Sequence, residues 1–315
     1  MMFYNKSSTR VNPFQKVYES PAVRKIPETP PKFPVYVDIE PTNFCNLKCR
    51  MCPRAPVHRK MGYMDLELFK KVTRECKKHH CPLRLIGWGE PFLHPQIQKF
   101  IKYTKQSLPQ LLHITTNGLA FKKYDMSCMV GYGVDSLIFS FQGVNGFGYN
   151  FMRNTNQYQT LVENIKEFLA IRGESEKPYV QITTTTTNED KKQIKEFVDY
   201  WIDKVDAVSV GRTNFDILPK KIPQNTLLKP KREVSHVPCT EVYHQIQVDW
   251  DGKVSPCCGD YDNYLTIGDA NHQKIREIWN KSPQLAYIRK QLKNNGHESF
   301  TLCQRCFPAY PGEID

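Results

Sequence analysis

Between residues 35 and 212 short apolar runs alternate with amphipathic stretches. "VYVDIE" (35–40), "LRLIG" (83–87), "LLHITT" (111–116), "SLIFSF" (136–141), "YVQITTTTT" (179–187) and "AVSV" (207–210) have the length and β-branched or aromatic content of strands. Between them lie helical patterns. Residues 64–80 carry Leu66, Phe69, Val72 and Cys76 at helical spacing, and Pro95 opens an amphipathic run to 106. A poorer helix is expected around 119–130, a long one over 156–173 with Gly173 as its stop, and another over 191–205. Six strands separated by helices predict an α/β fold with a parallel sheet and helices outside it.

The flanks read differently. Residues 1–34 are polar and proline-rich and are expected to lie over a domain without contributing a core element. Residues 213–236 read as an irregular linker. From 237 to 315 a second, smaller domain is expected: "YHQIQVDWDGKVSPCC" (243–258) alternates around Asp251-Gly252 as a hairpin would, and 272–296 is helical. Its core looks thin without a staple.

Composition narrows the classes. Of the 315 residues, 40% are hydrophobic and 24% charged, enough apolar content for a sizeable core. No apolar run reaches membrane-spanning length, and "MMFYNKSSTRVNPF" lacks a secretory apolar stretch, so a cytoplasmic protein without a membrane partner is expected. The net charge of +12 suits an acidic partner, but no block of five or six like charges occurs, which disfavours nucleic acid. Eleven cysteines in a reducing compartment point to metal more than to disulfides.

The cysteines are clustered. Cys45, Cys49 and Cys52 follow the first strand with Cys-x3-Cys-x2-Cys spacing. One loop can then hold three corners of a [4Fe–4S] cube and leave the fourth iron open, and an open metal position marks a catalytic site. The alternative is zinc with a distant fourth ligand such as His58. The other strand ends are also unusual: "GWGEP" (87–91), "TTNG" (115–118) and "SFQG" (140–143). In parallel α/β sheets, ligand groups gather at these ends.

Together these motifs resemble a radical S-adenosylmethionine (radical SAM) enzyme over about residues 35–212. The resemblance implies a partial (β/α)6 TIM-like barrel whose open iron chelates S-adenosyl-L-methionine. Reductive cleavage of that cofactor gives a 5′-deoxyadenosyl radical that abstracts hydrogen from substrate. It implies Cys45, Cys49 and Cys52 as cluster ligands. Gly87 and Gly89 would admit the methionine end of the cofactor, and Glu90 would hold its amino group. Ser140 and Gln142 would face the ribose or carboxylate, Arg153 would pair with the carboxylate, and Met51 would flank the adenine. Asn117 belongs to the same set. Trp88 departs from the family, which often has glycine there.

The tail "VDWDGKVSPCC…IGD…IREIW…LAYIRKQL…LCQRC" resembles the SPASM/twitch extension of the same superfamily, a small α+β domain. Cys239, Cys257, Cys303 and Cys306 would ligate one complete auxiliary [4Fe–4S] cluster, making two clusters in all. Structural zinc on the same four thiolates is the alternative. A closed cluster passes electrons, and in the resemblance such a domain serves dehydrogenation of a secondary alcohol on a sugar or aminocyclitol. Asp260 is then a candidate base. An epimerase would instead use Cys258 as hydrogen-atom donor, and a peptide-modifying maturase is a third reading. Each needs a flavodoxin or ferredoxin-type electron donor. A zinc-binding adaptor would explain the cysteines but not "GWGEP" or "SFQG".

Overall fold

The computed structural model describes residues 1–5, 10–53, 58–108, 110–121, 124–213, 215 and 238–306. Apolar side chains at every second position decide which face of each strand meets the helices. In β2 (Tyr36–Ile39), β3 (Leu83–Leu85), β4 (Leu112–Thr116), β5 (Ser136–Ser140), β6 (Tyr179–Thr186) and β7 (Ala207–Arg212) the pairs Val37/Ile39, Leu83/Leu85, Leu112/Ile114 and Leu137/Phe139 are wholly buried on the helix side. Each such side chain contributes about 1.5–3 kcal/mol on leaving water. The six strands pair in parallel in the order β2-β3-β4-β5-β6-β7. The fold is therefore the expected α/β partial barrel.

Helices fill the crossovers. Among them α3 (Leu66–Lys78) starts where Asp65 accepts hydrogen bonds from the Glu67 and Leu68 amides at 2.7 and 3.4 Å. It buries Leu68, Phe69, Val72 and Cys76, and Phe69 stacks on Phe100 of α4 (Ile97–Lys102) at 4.0 Å. Of the helix expected around 119–130, only α5 (Ser127–Gly131) forms among the described residues, running one residue past that range. α6 (Gly146–Arg153) and α7 (Tyr158–Arg172, ending at Gly173) both lie between β5 and β6, and α8 (Lys191–Ile202) precedes β7.

The tail does not stand apart from this sheet. β8 (Gln245–Val248) pairs in parallel with β2, and β9 (Lys253–Ser255) and β10 (Gly268–Asp269) follow antiparallel. The β8–β9 turn is the hairpin expected at Asp251-Gly252, with Gly252 at φ +88°. The helical stretch 272–296 is two helices, α9 (Ile275–Lys281) and α10 (Pro283–Lys293). Pro283 has no N–H to continue the first, and the Ser282 hydroxyl accepts from the Leu285 amide to start the second.

Residues 1–34 do more than cover a domain. Met2–Asn5 form β1, an antiparallel edge strand on β7, and Phe14 is 1% exposed. The linker expected at 213–236 lies outside the described residues, apart from Thr213 and Phe215. No helix among the described residues is long and apolar enough to cross a membrane.

Candidate functional site

The polar side chains left over by the strand alternation point into the barrel. Its lower layer, at the strand N-termini, is packed: His113, Ser136, Gln181, Ser209 and Gln245 are buried. Its upper layer is open: Ile86, Thr115, Ile138, Ser140, Thr183 and Thr185 are only partly buried. Asp38 and Arg84 meet inside, with Nε and Nη2 of the arginine 2.6 and 2.7 Å from the two carboxylate oxygens. Burial holds the Asp38 carboxyl above its ordinary range despite that partner.

The Cys45–Cys52 loop closes the upper end. Asn43 pins its start, donating to Lys60 O at 2.8 Å and accepting from Gly62 N at 2.9 Å. Arg50 pins its far side, its amide donating to Met152 O at 2.8 Å and its Nε to Phe151 O at 2.9 Å. The three thiols are half-buried. Two receive donors from the barrel: Asn117 Nδ2 lies 3.7 Å from Cys45 Sγ, and Arg153 Nη1 lies 3.6 Å from Cys49 Sγ. Donors on sulfur favour thiolate and suit iron–sulfur ligation. Arg153 also donates to Ser140 O and Phe141 O at 2.8 and 3.1 Å, while its buried Nε has no hydrogen-bond partner among the described residues.

The other upper residues brace this loop. A Cβ on Gly89 would lie 2.0 Å from Thr42 O, and one on Gly87 would lie 2.7 Å from the Glu40 side chain. Gly89 thus lets the loop after β3 lie against the start of the cysteine loop, and Gly87 lets it lie against Glu40 at the end of β2. Glu90 is buried and accepts from Thr116 Oγ1 and Asn117 N at 2.7 Å and Phe92 N at 3.1 Å, joining two strand ends. Gln142 spends its amide on Thr185 and Thr213. Met51 is half-buried in the turn between Cys49 and Cys52. Trp88 packs edge-on against Tyr261 of the tail at 5.8 Å. His58, the proposed distant zinc ligand, has its Nδ1 2.6 Å from Asp262 Oδ2.

Sequence reasoning missed a buried ion cluster here. Arg59 forms a fork with Glu40, 3.0 Å to each oxygen, and reaches Asp249 at 2.9 Å, tying the ends of β2 and β8 to the cysteine loop. The signal was present: Asp38 and Glu40 are acidic residues at alternate positions of an otherwise apolar strand.

The second set of thiols lies at the lower end. Cys239 precedes the turn Glu241–Tyr243 that leads into β8, Cys257 follows β9, and Cys303 and Cys306 flank a single helical turn. Burial above all raises the Cys257 thiol well above its ordinary value, and Cys257 also feels the charges of Cys258, Cys306, Cys239 and Cys303. Burial pushes the thiols of Cys239 and Cys303 up to about 12. Among the described residues no three His, Cys, Asp or Glu side chains meet closely enough for one metal ion; a cubane spreads its thiolates over separate irons.

Cys258 is exposed, yet enough protein surrounds it that burial, together with Asp38 and Glu241, pushes its thiol up to about 12 against the pull of Arg84. Asp260 does not offer a free carboxylate. It is wholly buried and accepts from Tyr264 N and Leu265 N at 2.9 and 2.8 Å, the bonding of a loop organiser and not of a base open to substrate. Cys76 and Cys81 sit in the core, and Cys128 is half-buried beside Gln98.

The profile of the Radical SAM superfamily matches residues 39–201, and that of an iron-sulfur cluster-binding domain, SPASM, matches 239–307. The chain belongs to the radical SAM superfamily and is an enzyme of that family with a C-terminal SPASM domain. Its cofactors are S-adenosyl-L-methionine and [4Fe–4S] clusters. It is 25% identical to the tungsten-containing aldehyde ferredoxin oxidoreductase cofactor-modifying protein of Pyrococcus furiosus, over 85% of this chain and 86% of that one. It is 22% identical to the S-adenosyl-L-methionine-dependent 2-deoxy-scyllo-inosamine dehydrogenase of Niallia circulans, over 86% and 91%. The fold is similar to that of Streptococcus suis SuiB bound to S-adenosylmethionine, with TM-score 0.67 and 19% identity over 87% of this chain and 72% of that one.

Proposed function

We propose that this enzyme oxidises a secondary alcohol of a small sugar or aminocyclitol to a ketone. The observation that carries the reading is the pair of thiol sets at opposite ends of one polar barrel. Bound at the Cys45–Cys52 loop, S-adenosylmethionine would supply hydrogen-abstracting radical chemistry, and a cluster held by the lower thiols would supply an electron acceptor. The oxidation would balance with the carbinol carbon giving up a hydrogen atom, its hydroxyl a proton and the substrate one electron, leaving C=O.

Each residue has a part in this scheme. Cys45, Cys49 and Cys52 hold the catalytic cluster, with Asn117 and Arg153 tuning two of its sulfurs. The unpartnered Nε gives Arg153 a further charged donor for the methionine carboxylate. Glu90, Gly87 and Gly89 keep the loop in place, and Ser140 and Met51 border the cofactor. Gln142, bonded within the protein, shapes the wall. Cys239, Cys257, Cys303 and Cys306 hold the electron-accepting cluster. An oxygen-sensitive enzyme of this kind belongs in the cytoplasm with a flavodoxin or ferredoxin-type donor.

The accessible Cys258 thiol beside the inward pair Asp38–Arg84 favours a second reading, epimerisation with that thiol returning a hydrogen atom. Anaerobic reconstitution separates the two. Dehydrogenation predicts about eight irons per chain, a ketone product, no solvent deuterium in product carbon, and turnover that survives Cys258→Ala. Epimerisation predicts deuterium incorporation and no turnover in that variant. Failure to form 5′-deoxyadenosine under reduction sinks both.

A further inference from the structure

The segment that precedes β2 enters the barrel from below. From Arg10 to Lys32 only one residue, Phe14, is buried. Its ring meets the inward-facing His113 edge-on at 5.6 Å. One turn on, in the short helix α1 (Gln15–Tyr18), Tyr18 packs edge-on against Tyr36 at 6.2 Å, and Arg84 Nη1 lies 3.4 Å from its hydroxyl. His113, Tyr36 and Arg84 all belong to the barrel's interior face, so this segment places its side chains inside the barrel.

The segment is fastened on both sides. Arg10 donates to Ser175 O at 3.2 Å and pairs with Asp206 at 3.5 Å, at the feet of β6 and β7. Asn12 Oδ1 accepts from Phe14 N at 2.9 Å and fixes the entry of the ring. Beyond α1, the helix α2 (Pro21–Arg24) packs on the turn Glu241–Tyr243 beside Cys239. Trp279 Nε1 donates to Pro31 O at 2.6 Å where the segment turns up into β2.

We propose that residues 10–25 form the floor of the reaction chamber, with Phe14 as its plug and Tyr18 as the side chain that limits the size of what lies above it. The inference rests on the barrel being that chamber and deepens it by fixing its depth. From His113, against Phe14, to Asn117, against Cys45, the chain runs four residues, about 13 Å at 3.3 Å each, or about 11 Å of height at a barrel tilt of about 36°. Cofactor and substrate share that height, which suits a single-ring substrate and not a folded peptide. The packed lower layer and open upper layer are the accessibility that such a floor produces.

A thiol placed by Ser136→Cys reports on the floor without any turnover, since Ser136 is buried and its Oγ lies 3.0 Å from the His113 ring that Phe14 covers. Anaerobic holoenzyme carrying this substitution, with both clusters loaded, is treated with a maleimide carrying a bulky polyethylene glycol. Modification at position 136 is read by peptide mass mapping. With the floor otherwise wild type, the reaction is expected to be slow. Phe14→Ala is expected to react about tenfold faster or more as the segment lifts, and Tyr18→Ala to show a smaller gain. Arg10→Ala, a partly exposed anchor whose loss leaves the barrel intact, gives the same direction if Phe14→Ala does not fold. Equal rates with the floor intact and in all floor variants, whether fast or slow, overturn the proposal. Loss of ketone formation with these rate differences intact would instead sink the dehydrogenase reading and leave the floor standing.

Discussion

The two ends of the barrel collect thiols in opposite ways. At the upper end one loop supplies Cys45, Cys49 and Cys52 from eight consecutive residues, and the barrel adds only donors to their sulfurs. At the lower end four thiols come from three separate segments, joined only after β8 has paired with β2 and β9 has folded back. A local set needs little of the fold to exist. A distributed set exists only in the folded chain, so metal binding there is also folding free energy. The first suits exchange of a cofactor at an open corner, the second a permanent staple that passes electrons.

The largest effect follows from breaking the upper set. Cys49→Ala should reduce 5′-deoxyadenosine formation to background while the lower cluster remains, with iron falling from about eight to about four per chain. Breaking the lower set should look different. Cys303→Ala should keep 5′-deoxyadenosine formation, lose ketone, lose about four irons and let trypsin cut within 238–306 faster than in the barrel. If both variants lose cofactor cleavage alike, the division of labour between the ends is wrong.

A third test asks how firmly the upper loop is tied to the tail. Among the described residues Arg59 alone neutralises two wholly buried carboxylates, Glu40 and Asp249, and Asp249 is held well above its ordinary range by burial and by Glu40. Arg59→Ala leaves both without a cation and should destabilise the protein by about 3–5 kcal/mol, measured by denaturant unfolding of the reconstituted enzyme. A loss under about 1 kcal/mol would mean that water already reaches the cluster.

How much of this could be seen in the sequence differs between the same two ends. The strands and the upper cysteine loop follow from local signals: alternation, spacing and strand-end residues. The lower set could be named from its cysteines, but the tail's place in the barrel sheet could not, because pairing of Gln245–Val248 with Tyr36–Ile39 joins segments some two hundred residues apart. Asp260 looked like a base because its type and position suited one. Only the fold shows its oxygens already bonded to backbone amides. Phe14 stayed hidden for the opposite reason. One aromatic residue in a polar, proline-rich stretch carries no period, and its burial comes from a barrel mouth that only the folded chain provides.

The smallest effect sharpens the contrast between a packed lower layer and an open upper one. His113 is buried above Phe14, with its ring nitrogens 3.0 Å from Ser136 Oγ and 2.9 Å from Thr115 Oγ1. Burial, with Arg84 nearby, lowers its pKa to about 3. An unfolded histidine protonates near 6.5, so the folded state binds fewer protons below that value. Stability from the neutral ring is complete above about pH 6.5 and is lost progressively as pH falls towards the folded value. At about pH 5.5 the loss relative to about pH 8 should be about 1.4 kcal/mol. His113→Gln should remove that part of the pH dependence in paired denaturant titrations at the two pH values. Phe14→Ala should remove part of it as well, because water reaching the ring relieves the burial that lowers its pKa. An unchanged pH profile in His113→Gln would mean that the ring is already wet and that the lower layer is no more closed than the upper one.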